Sequence, residues 1–425
     1  MLFIESNVKI VVALGILWIW DIYEKIVHSY FINKYRTVPL PDKPTYNSED
    51  VSLVVPTIDT ESTFTECLRL WLASKPREII IVTVARNLSR VQQLVSPVQN
   101  YTSKVTILTA SAANKRQQLT LGIMAARGKI VALVDDDAYW RTGTVIPYLL
   151  APFENSLVGA VAGLQSPDFP PDRQDSRVMT LWETLGAYDM HTLNRSQPMR
   201  FEADGGAWSL VGRTLFVRRS ILQNQKFGDA FCYQRIGNRL VNGADDVFVT
   251  EWVFNCGWEI TVQNSPEAKV TTNVRRDYKF TWQVLRWERG NLRSFLARLF
   301  INPGYWVMAQ RHPYTTWNII ERLLRPIWAF AYVAVWLQTV RTMPLVGLTY
   351  ALWIIFGWGG WVSVYGSFLR EHPYCVRQIW GPWLMDRVMP LVDIYAYITM
   401  NNDNWLTRNA DVQEMQNLWT EDRKA

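Results

Sequence analysis

The run VALVDDDAYW, residues 131–140, joins a short apolar stretch to three consecutive carboxylates. Residues such as Val131 to Val134 fill a buried strand, and open α/β sheets place ligands outside the carboxyl ends of their strands. Carboxylates packed this closely repel one another unless a cation or a proton relieves them, and Mg2+ or Mn2+ held by oxygen ligands uses this chemistry. Asp135 and Asp137 are therefore candidate ligands for Mn2+ or Mg2+ beside a nucleoside diphosphate. The competing reading is a solvated acidic turn.

Three later clusters supply what such a centre needs. GADDVFVTEWVF (243–254) sets Asp245 and Asp246 at the start of a predicted helix, where Asp245 also suits an N-cap. QVLRWERG (283–290) spaces Gln283, Arg286 and Trp287 at i, i+3 and i+4, on one helical face; an Arg–Trp pair also suits a membrane-interface belt. DGGAWSLVGRTLFVRRSIL (204–222) reads as a strand punctuated by Gly205, Gly206 and Gly212, which mark either a close backbone approach to a ligand or a bulge. Displacing a nucleoside diphosphate at an anomeric carbon requires positive charge on the leaving group and a base on the attacking oxygen. A metal with Arg286 meets the first requirement and Asp246 the second. No residue reads as a covalent nucleophile, so a single in-line displacement with inversion is the economical mechanism.

These residues need a frame. VSLVVPT (51–57), EIIIVTV (78–84) and KVTIL (104–108) read as strands, while FTECLRLWLAS (64–74) and NKRQQLTLGIMAARG (114–128) read as helices, the second closed by Gly128. The βαβα order predicts a parallel, doubly wound α/β sheet with its crevice over the strand ends.

Composition sets the surroundings. A content of 49% hydrophobic residues with 21 Trp, unevenly placed, points to membrane contact. The four cysteines lack metal-ligand spacing and read as thiols in a reducing compartment. A net charge of +6 without a long Lys/Arg run excludes a nucleic-acid-binding arm. Val8 to Tyr23 reads as an uncleaved anchor or an in-plane helix, and Lys25, Lys34, Arg36 and Lys43 after it place the following domain in the cytoplasm. Residues 286–300 read as an amphipathic helix at the bilayer surface, Pro326–Val340 and Pro344–Leu369 as two spans joined by a tight turn at Arg341, and 374–387 as another interfacial helix. The expected protein is thus integral and multi-pass, in the plasma membrane or an endomembrane. Its divisions are an anchor (1–36), a catalytic domain (48–275), an interfacial region (276–312) and C-terminal membrane helices with a tail (313–425).

Taken in order, Asp135–Asp137, Asp245–Asp246 and Gln283–Trp287 resemble the signature of the membrane-bound family 2 glycosyltransferases, the branch of hyaluronan, chitin and cellulose synthases. CLRLWLASKPREIIIVTV (67–84), NKRQQL (114–119), GRTLFVRRSIL (212–222) and WLTR (405–408) resemble the hyaluronan-synthase-like group of fungal type 2 enzymes. The resemblance implies a GT-A (Rossmann-like) catalytic domain with N- and C-terminal transmembrane and interfacial helices. It also implies transfer from a UDP-sugar to a growing cell-surface polysaccharide. By it, Asp137 coordinates the metal, Asp135 contacts the nucleotide sugar and metal, and Asp246 is the base, with Asp245 beside it. Arg286 neutralises the diphosphate; Thr57, Asp59, Glu61, Lys115 and Arg116 lie near the nucleotide; and Gly205, Gly206, Gly212, Gln283 and Trp287 form the acceptor side. The chain departs from the pattern at VTVARN (82–87), where Arg86 and Asn87 replace an Asp that reads uracil, and at Ser209 and Val211, where Cys and Ser are usual. The alternatives are a nonprocessive glycolipid enzyme resembling ceramide glucosyltransferase and a catalytically silent membrane scaffold. The expected partners are a nucleotide-sugar donor, a glycan or lipid acceptor and membrane lipids.

Overall fold

A computed structural model describes residues 2–98, 104–236, 239–241, 243–356 and 364–402. The motif WLTR (405–408) and part of the second expected span lie outside the described residues. Strands β1 (Val51–Pro56), β2 (Glu78–Val84), β3 (Val105–Ala110) and β4 (Ile130–Val134) are parallel, as the sequence predicts. Every residue of β1, β2 and β4 is buried, because helices cover both faces of the sheet. Val51, Leu53 and Val55 face one core with Phe64, Trp71 and Val91, while Val54 faces a second core with Leu119 and Ile123. The helices Phe64–Ala73 and Lys115–Ala125 lie where the periodicity places them.

The sheet is mixed rather than wholly parallel. Beyond β5 (Ala138–Tyr139), β6 (Val158–Gly163) and β7 (Gln165–Pro167) comes β8 (Thr214–Arg218), followed by the pair β9 (Arg235–Ile236) and β10 (Arg239–Leu240), then β11 (Glu259–Gln263) and β12 (Val270–Thr272). The seven-stranded order is β11-β6-β8-β4-β1-β2-β3, with β8 antiparallel to both β4 and β6. This reversal places the start of β8 beside the end of β4, pairing Thr214 with Val134. The expected glycine-punctuated strand over 204–222 is therefore only the five residues of β8. Gly205 instead caps the helix Leu181–Asp204 at φ 71°, a left-handed conformation that glycine adopts without a Cβ clash. A small sheet in the order β5-β12-β7 lies beside the acidic run.

Gly128 is not the helix C-cap, since the helix Lys115–Ala125 is capped by Ala126. Its backbone lies against β1: its N–H donates to Ser52 Oγ at 2.7 Å, and a Cβ there would come within 2.6 Å of Asp50 O and Ser52 N. Ser52 Oγ donates in turn to the buried Glu78 carboxylate at 2.7 Å, which also accepts from the Arg127 N–H at 2.7 Å.

The flanking helices differ from their predicted form. The N-terminal helix runs Leu2–Lys34, 33 residues or roughly 50 Å, exposing Val8, Val11, Val12, Ile16 and Ile19. Its exit is tied to the edge strand: Tyr35 Oη donates to Val262 O at 2.6 Å, and Val38 N–H donates to Gln263 Oε1 at 2.9 Å. The 286–300 segment belongs to the helix Lys279–Phe300, but its arginines do not make a polar face toward headgroups. Arg289, Arg293 and Arg298 are buried, and Arg298 bonds Glu251, Ala207 O and Trp208 O at 2.9, 2.9 and 2.5 Å. The helices Arg325–Thr342 and Pro344–Phe356 form the expected hairpin. The stretch from 380 is one helix, Trp380–Ile398, whose buried Asp393 accepts from Arg322 at 2.9 Å and Arg325 at 2.6 Å. Among the described residues no single helix is long and apolar enough to cross a membrane. The pair Pro313–Leu323 and Arg325–Thr342, bent by 62°, satisfies length and composition together.

Gly128→Ala is expected to destabilise the fold by about 1–3 kcal/mol, because backbone rather than a flexible side chain occupies the space. Thermal unfolding checks this, and an unchanged midpoint would contradict the close approach.

Candidate functional site

The site grows from the end of β4. Asp135 N–H donates to Arg213 O at 3.0 Å, so the antiparallel neighbour β8 fixes the backbone at the acidic run. Asp137 Oδ2 accepts from Thr272 Oγ1 at 3.0 Å, a contact that β12 supplies by pairing Thr272 with Ala138. Asp136 Oδ2 accepts from Thr57 Oγ1 at 2.6 Å. That bond uses the Thr57 proton, so Thr57 must accept the Thr60 hydroxyl at 2.8 Å, and Thr60 accepts from Asn87 Nδ2 at 2.7 Å. Three strand ends are thereby joined by a hydrogen-bond chain with a single direction.

The second acidic pair arrives on the helix Asp245–Asn255, whose preceding Ala244 is left-handed at φ 54°. Asp245 is thus not the N-cap. Lys115 Nζ lies 2.8 Å from Asp135 Oδ1 and 2.9 Å from Asp245 Oδ2, one ammonium shared by the two acidic motifs. Burial alone would raise the Asp245 pKa, but the Lys115 charge outweighs it and holds the carboxyl below the ordinary carboxylate range. Lys115 forms its ion pairs with Asp135 and Asp245, and at Asp246 its charge only partly offsets the rise. Burial first, and then the Asp245 charge, push Asp246 up to about 6. Gly212 packs against it, where a Cβ would fall 2.8 Å from Asp246 Cβ. The glycine is needed for this approach.

One cavity of about 820 Å³ gathers Thr57, Asp59, Glu61, Lys115, Asp135, Asp137, Gly212, Asp245, Asp246, Gln283, Arg286 and Trp287. Ser209 and Val211, where the chain departs from the family pattern, line it too. Trp287 packs with Leu185, Phe280, Val284 and Met389, which hold its ring at the cavity wall. Three expected site residues lie elsewhere. Arg116 is buried away from the cavity, donating to Phe231 O at 2.9 Å, Gln234 Oε1 at 2.8 Å and Gly243 O at 2.7 Å, with its guanidinium over Phe231 and Phe248. It braces the loop before Asp245. Gly205 caps a helix, and Gly206 gives room to Thr315, whose Oγ1 would lie 2.3 Å from a Cβ.

Sequence reasoning gave no role to Asp136, Thr272 or Asp189, and read Asn87 only as a departure from the family pattern. Asp189 lines the cavity from the helix Leu181–Asp204, and burial pushes its carboxyl up to about 6. No motif marks it; only the fold brings it there. Among the described residues no three acidic, histidine or cysteine side chains form a ready-made cation cage. Asp135 and Asp137 nonetheless fit a divalent ion, because Mg2+ and Mn2+ sites commonly use one or two carboxylates and complete their shell with substrate phosphates and water.

The family model "Glycosyltransferase like family 2" matches residues 48–290. The chain belongs to this glycosyltransferase family. An Aspergillus luteorubrus protein named NDP-glycosyltransferase ltbB is 56% identical over 406 residues, covering 95% of this chain and 99% of its own. A type 2 glycosyltransferase of Zymoseptoria tritici is 30% identical, covering 94% of this chain and 86% of its own. The solved mannosyltransferase PcManGT of Pyrobaculum calidifontis, in complex with GDP-Man and Mn2+, is similar in fold at a TM-score of 0.59 and 15% identity, covering 96% of this chain and 99% of its own. The matched family region ends inside the helix Lys279–Phe300, just past Gln283, Arg286 and Trp287. In this glycosyltransferase both acidic motifs and the Gln283–Trp287 face therefore fall within the family domain.

If Asp246 takes the proton of the attacking hydroxyl, its raised pKa leaves a mark on rate. The transfer rate of the glycosyltransferase should rise with pH through about 6 as Asp246 loses its proton, falling about tenfold per unit below that value. Asp245→Asn removes the repelling charge and should move this limb to lower pH. Nucleoside diphosphate release measured across the acid range checks both, and a limb unmoved in Asp245→Asn would contradict the coupling.

Proposed function

We propose that this glycosyltransferase is an integral-membrane, inverting enzyme that transfers a sugar from a nucleoside-diphosphate donor, a UDP-sugar, to a growing cell-surface polysaccharide. In this reading the catalytic domain faces the cytoplasm, at the plasma membrane or an endomembrane. The observation behind it is the meeting of the two acidic motifs across Lys115, in one cavity with Arg286 and Trp287. The exposed apolar rows on Leu2–Lys34 and on Arg325–Thr342, where Ile327, Phe330, Val333 and Leu337 face outward, support the membrane part.

Each side chain then has one task. Asp246 accepts the proton of the attacking hydroxyl, and its raised pKa keeps it near the balance between ionised and protonated forms that suits a general base. Lys115 holds Asp245 and Asp135 in place, so that the carboxylates do not drive the motifs apart. Arg286 offers a guanidinium to the diphosphate, which suits its planar, bidentate geometry. Thr57, Asp59 and Glu61 face the nucleoside from the first loop, and Trp287 presents a flat wall to the acceptor ring. A divalent ion held by Asp137 and Asp135 would neutralise charge that builds on the leaving diphosphate.

A second reading is a nonprocessive enzyme that glycosylates a lipid. Val284, Met385 and Met389 line the cavity beside Trp287, an apolar wall that suits a hydrocarbon aglycone. Product size separates the two readings.

The purified protein is to be incubated with Mn2+ and a panel of UDP- and GDP-sugars, with nucleoside diphosphate release and product size measured. Release with a UDP-sugar and a large product is expected. A single sugar on lipid favours the second reading, while release with no sugar of the panel overturns the donor assignment. Asp246→Asn should cost about 10²–10⁴-fold in turnover with donor affinity kept. If that variant turns over normally, the base lies elsewhere. Asp137→Ala should abolish metal-dependent turnover in a folded protein, and full activity there would overturn the metal assignment. Trp287→Ala should impair transfer to the acceptor more than donor hydrolysis, and equal loss of both would favour a membrane-anchoring role.

A further inference from the structure

The same cavity has a cationic end that the transfer chemistry does not use. Arg200, on the helix Leu181–Asp204, lines it while only 2% exposed. Its guanidinium lies over the Trp208 ring, 3.8 Å from the centroid, and its one hydrogen bond is from Nη2 to Ser196 Oγ at 3.0 Å. Among the described residues no carboxylate pairs with it. The nearby Asp204 is committed elsewhere: Oδ1 accepts from Gly206 N–H at 2.9 Å and Thr315 Oγ1 at 2.7 Å, and Oδ2 accepts from Thr315 N–H at 2.7 Å. Arg200 Nε and Trp208 Nε1 are both buried donors without an acceptor.

A guanidinium out of water with no carboxylate bonded to it is costly, and burial, offset only in part by Tyr314 and the Asp204 charge, lowers its pKa to about 9. The cost is recovered if a ligand brings the missing charge, and an oxyanion answers a guanidinium with charge-assisted bonds. Its position says which ligand. Trp208 precedes Gly212 by four residues, so their Cα atoms are at most about 14 Å apart, and Gly212 touches Asp246; the cation and the base thus flank one short loop. The loop between is held by Gln197, whose Nε2 donates to Ser209 O at 2.7 Å. Ser209 and Val211 on that loop line the cavity, which makes the wall continuous from the base to the cation.

We propose that Arg200, backed by Trp208, binds an oxyanion borne by the acceptor, a carboxylate or a phosphate, away from the hydroxyl that Asp246 deprotonates. The assignment rests on the glycosyl-transfer reading, in which the molecule reaching Asp246 is the acceptor. An enzyme so built selects an acidic acceptor over its neutral counterpart.

The test measures binding rather than turnover. Methyl β-D-glucuronide, methyl β-D-glucoside and methyl phosphate are titrated into the full chain with UDP and Mn2+ present, so that the diphosphate cations are occupied. At least one of the two anions should bind about fivefold or more tightly than methyl β-D-glucoside. Tighter binding of the glucuronide assigns a carboxylate, and tighter binding of methyl phosphate assigns a phosphate. Arg200→Met should abolish the advantage and Arg200→Lys should keep part of it, with UDP affinity unchanged in both. A wild-type protein that binds neither anion better than the glucoside overturns the proposal, even if the variants do not fold. An advantage that survives in Arg200→Met overturns it as well. A wild type that does not bind UDP counts against the donor reading, and the anion advantage of wild type over Arg200→Met then decides the proposal by itself.

Discussion

The shared ammonium of Lys115 is the constraint on which the site depends. Asp135, Asp136, Asp137, Asp245 and Asp246 all face one cavity, and such a density of negative charge would separate the elements that bear it without a cation between them. Lys115 is at bonding distance from one member of each acidic motif. It sits at the first position of the helix Lys115–Ala125, where Asn114 caps by accepting the Gln117 N–H, so its placement follows from the helix start. It pairs with Asp245, while at Asp246 its charge only partly offsets burial and the Asp245 charge, so the two adjacent carboxylates shift in opposite directions.

Around that contact the fold works by pairing loops with strand ends. Reversal of β8 brings Gly212 and Arg213 to Asp135 and Asp246, β12 brings Thr272 to Asp137, and Arg116 holds the loop that leads into Asp245. None of these supports is a reacting group. Each removes a freedom that a reacting group would otherwise have, and general-base and electrostatic catalysis both depend on such preorganisation.

Much of this was legible in the sequence, for identifiable reasons. The buried strands β1, β2 and β4 announce themselves as unbroken apolar runs, and the three motifs carry charge at the ends of elements. The reversal of β8 was not legible, since a strand's direction depends on its neighbours and five residues leave no directional mark. The helix Leu181–Asp204 escaped because its buried positions lie all around it and include polar residues such as Glu183, His191, Gln197 and Arg200, so no apolar stripe stands out. Arg116 was placed near the nucleotide because Lys115 and Arg116 together resemble the family's basic pair. On a helix, however, adjacent residues point about 100° apart, and one turns to the cavity while the other turns to the core. The glycines at 205 and 206 were misplaced for a related reason: a left-handed cap and a close approach look alike in a sequence.

The tie between Tyr35, Val38 and β11 has a practical meaning. β11 is an edge strand of the seven-stranded sheet, and the chain leaving the first helix occupies Val262 O, Asn264 N–H and the Gln263 amide through Tyr35 and Val38. A catalytic fragment cut after residue 40 would lose that cover and bare polar backbone at the sheet margin, the kind of surface that recruits another chain. The segment between the first helix and the family domain thus serves as a hem for the sheet, and a fragment that omits it exposes this margin.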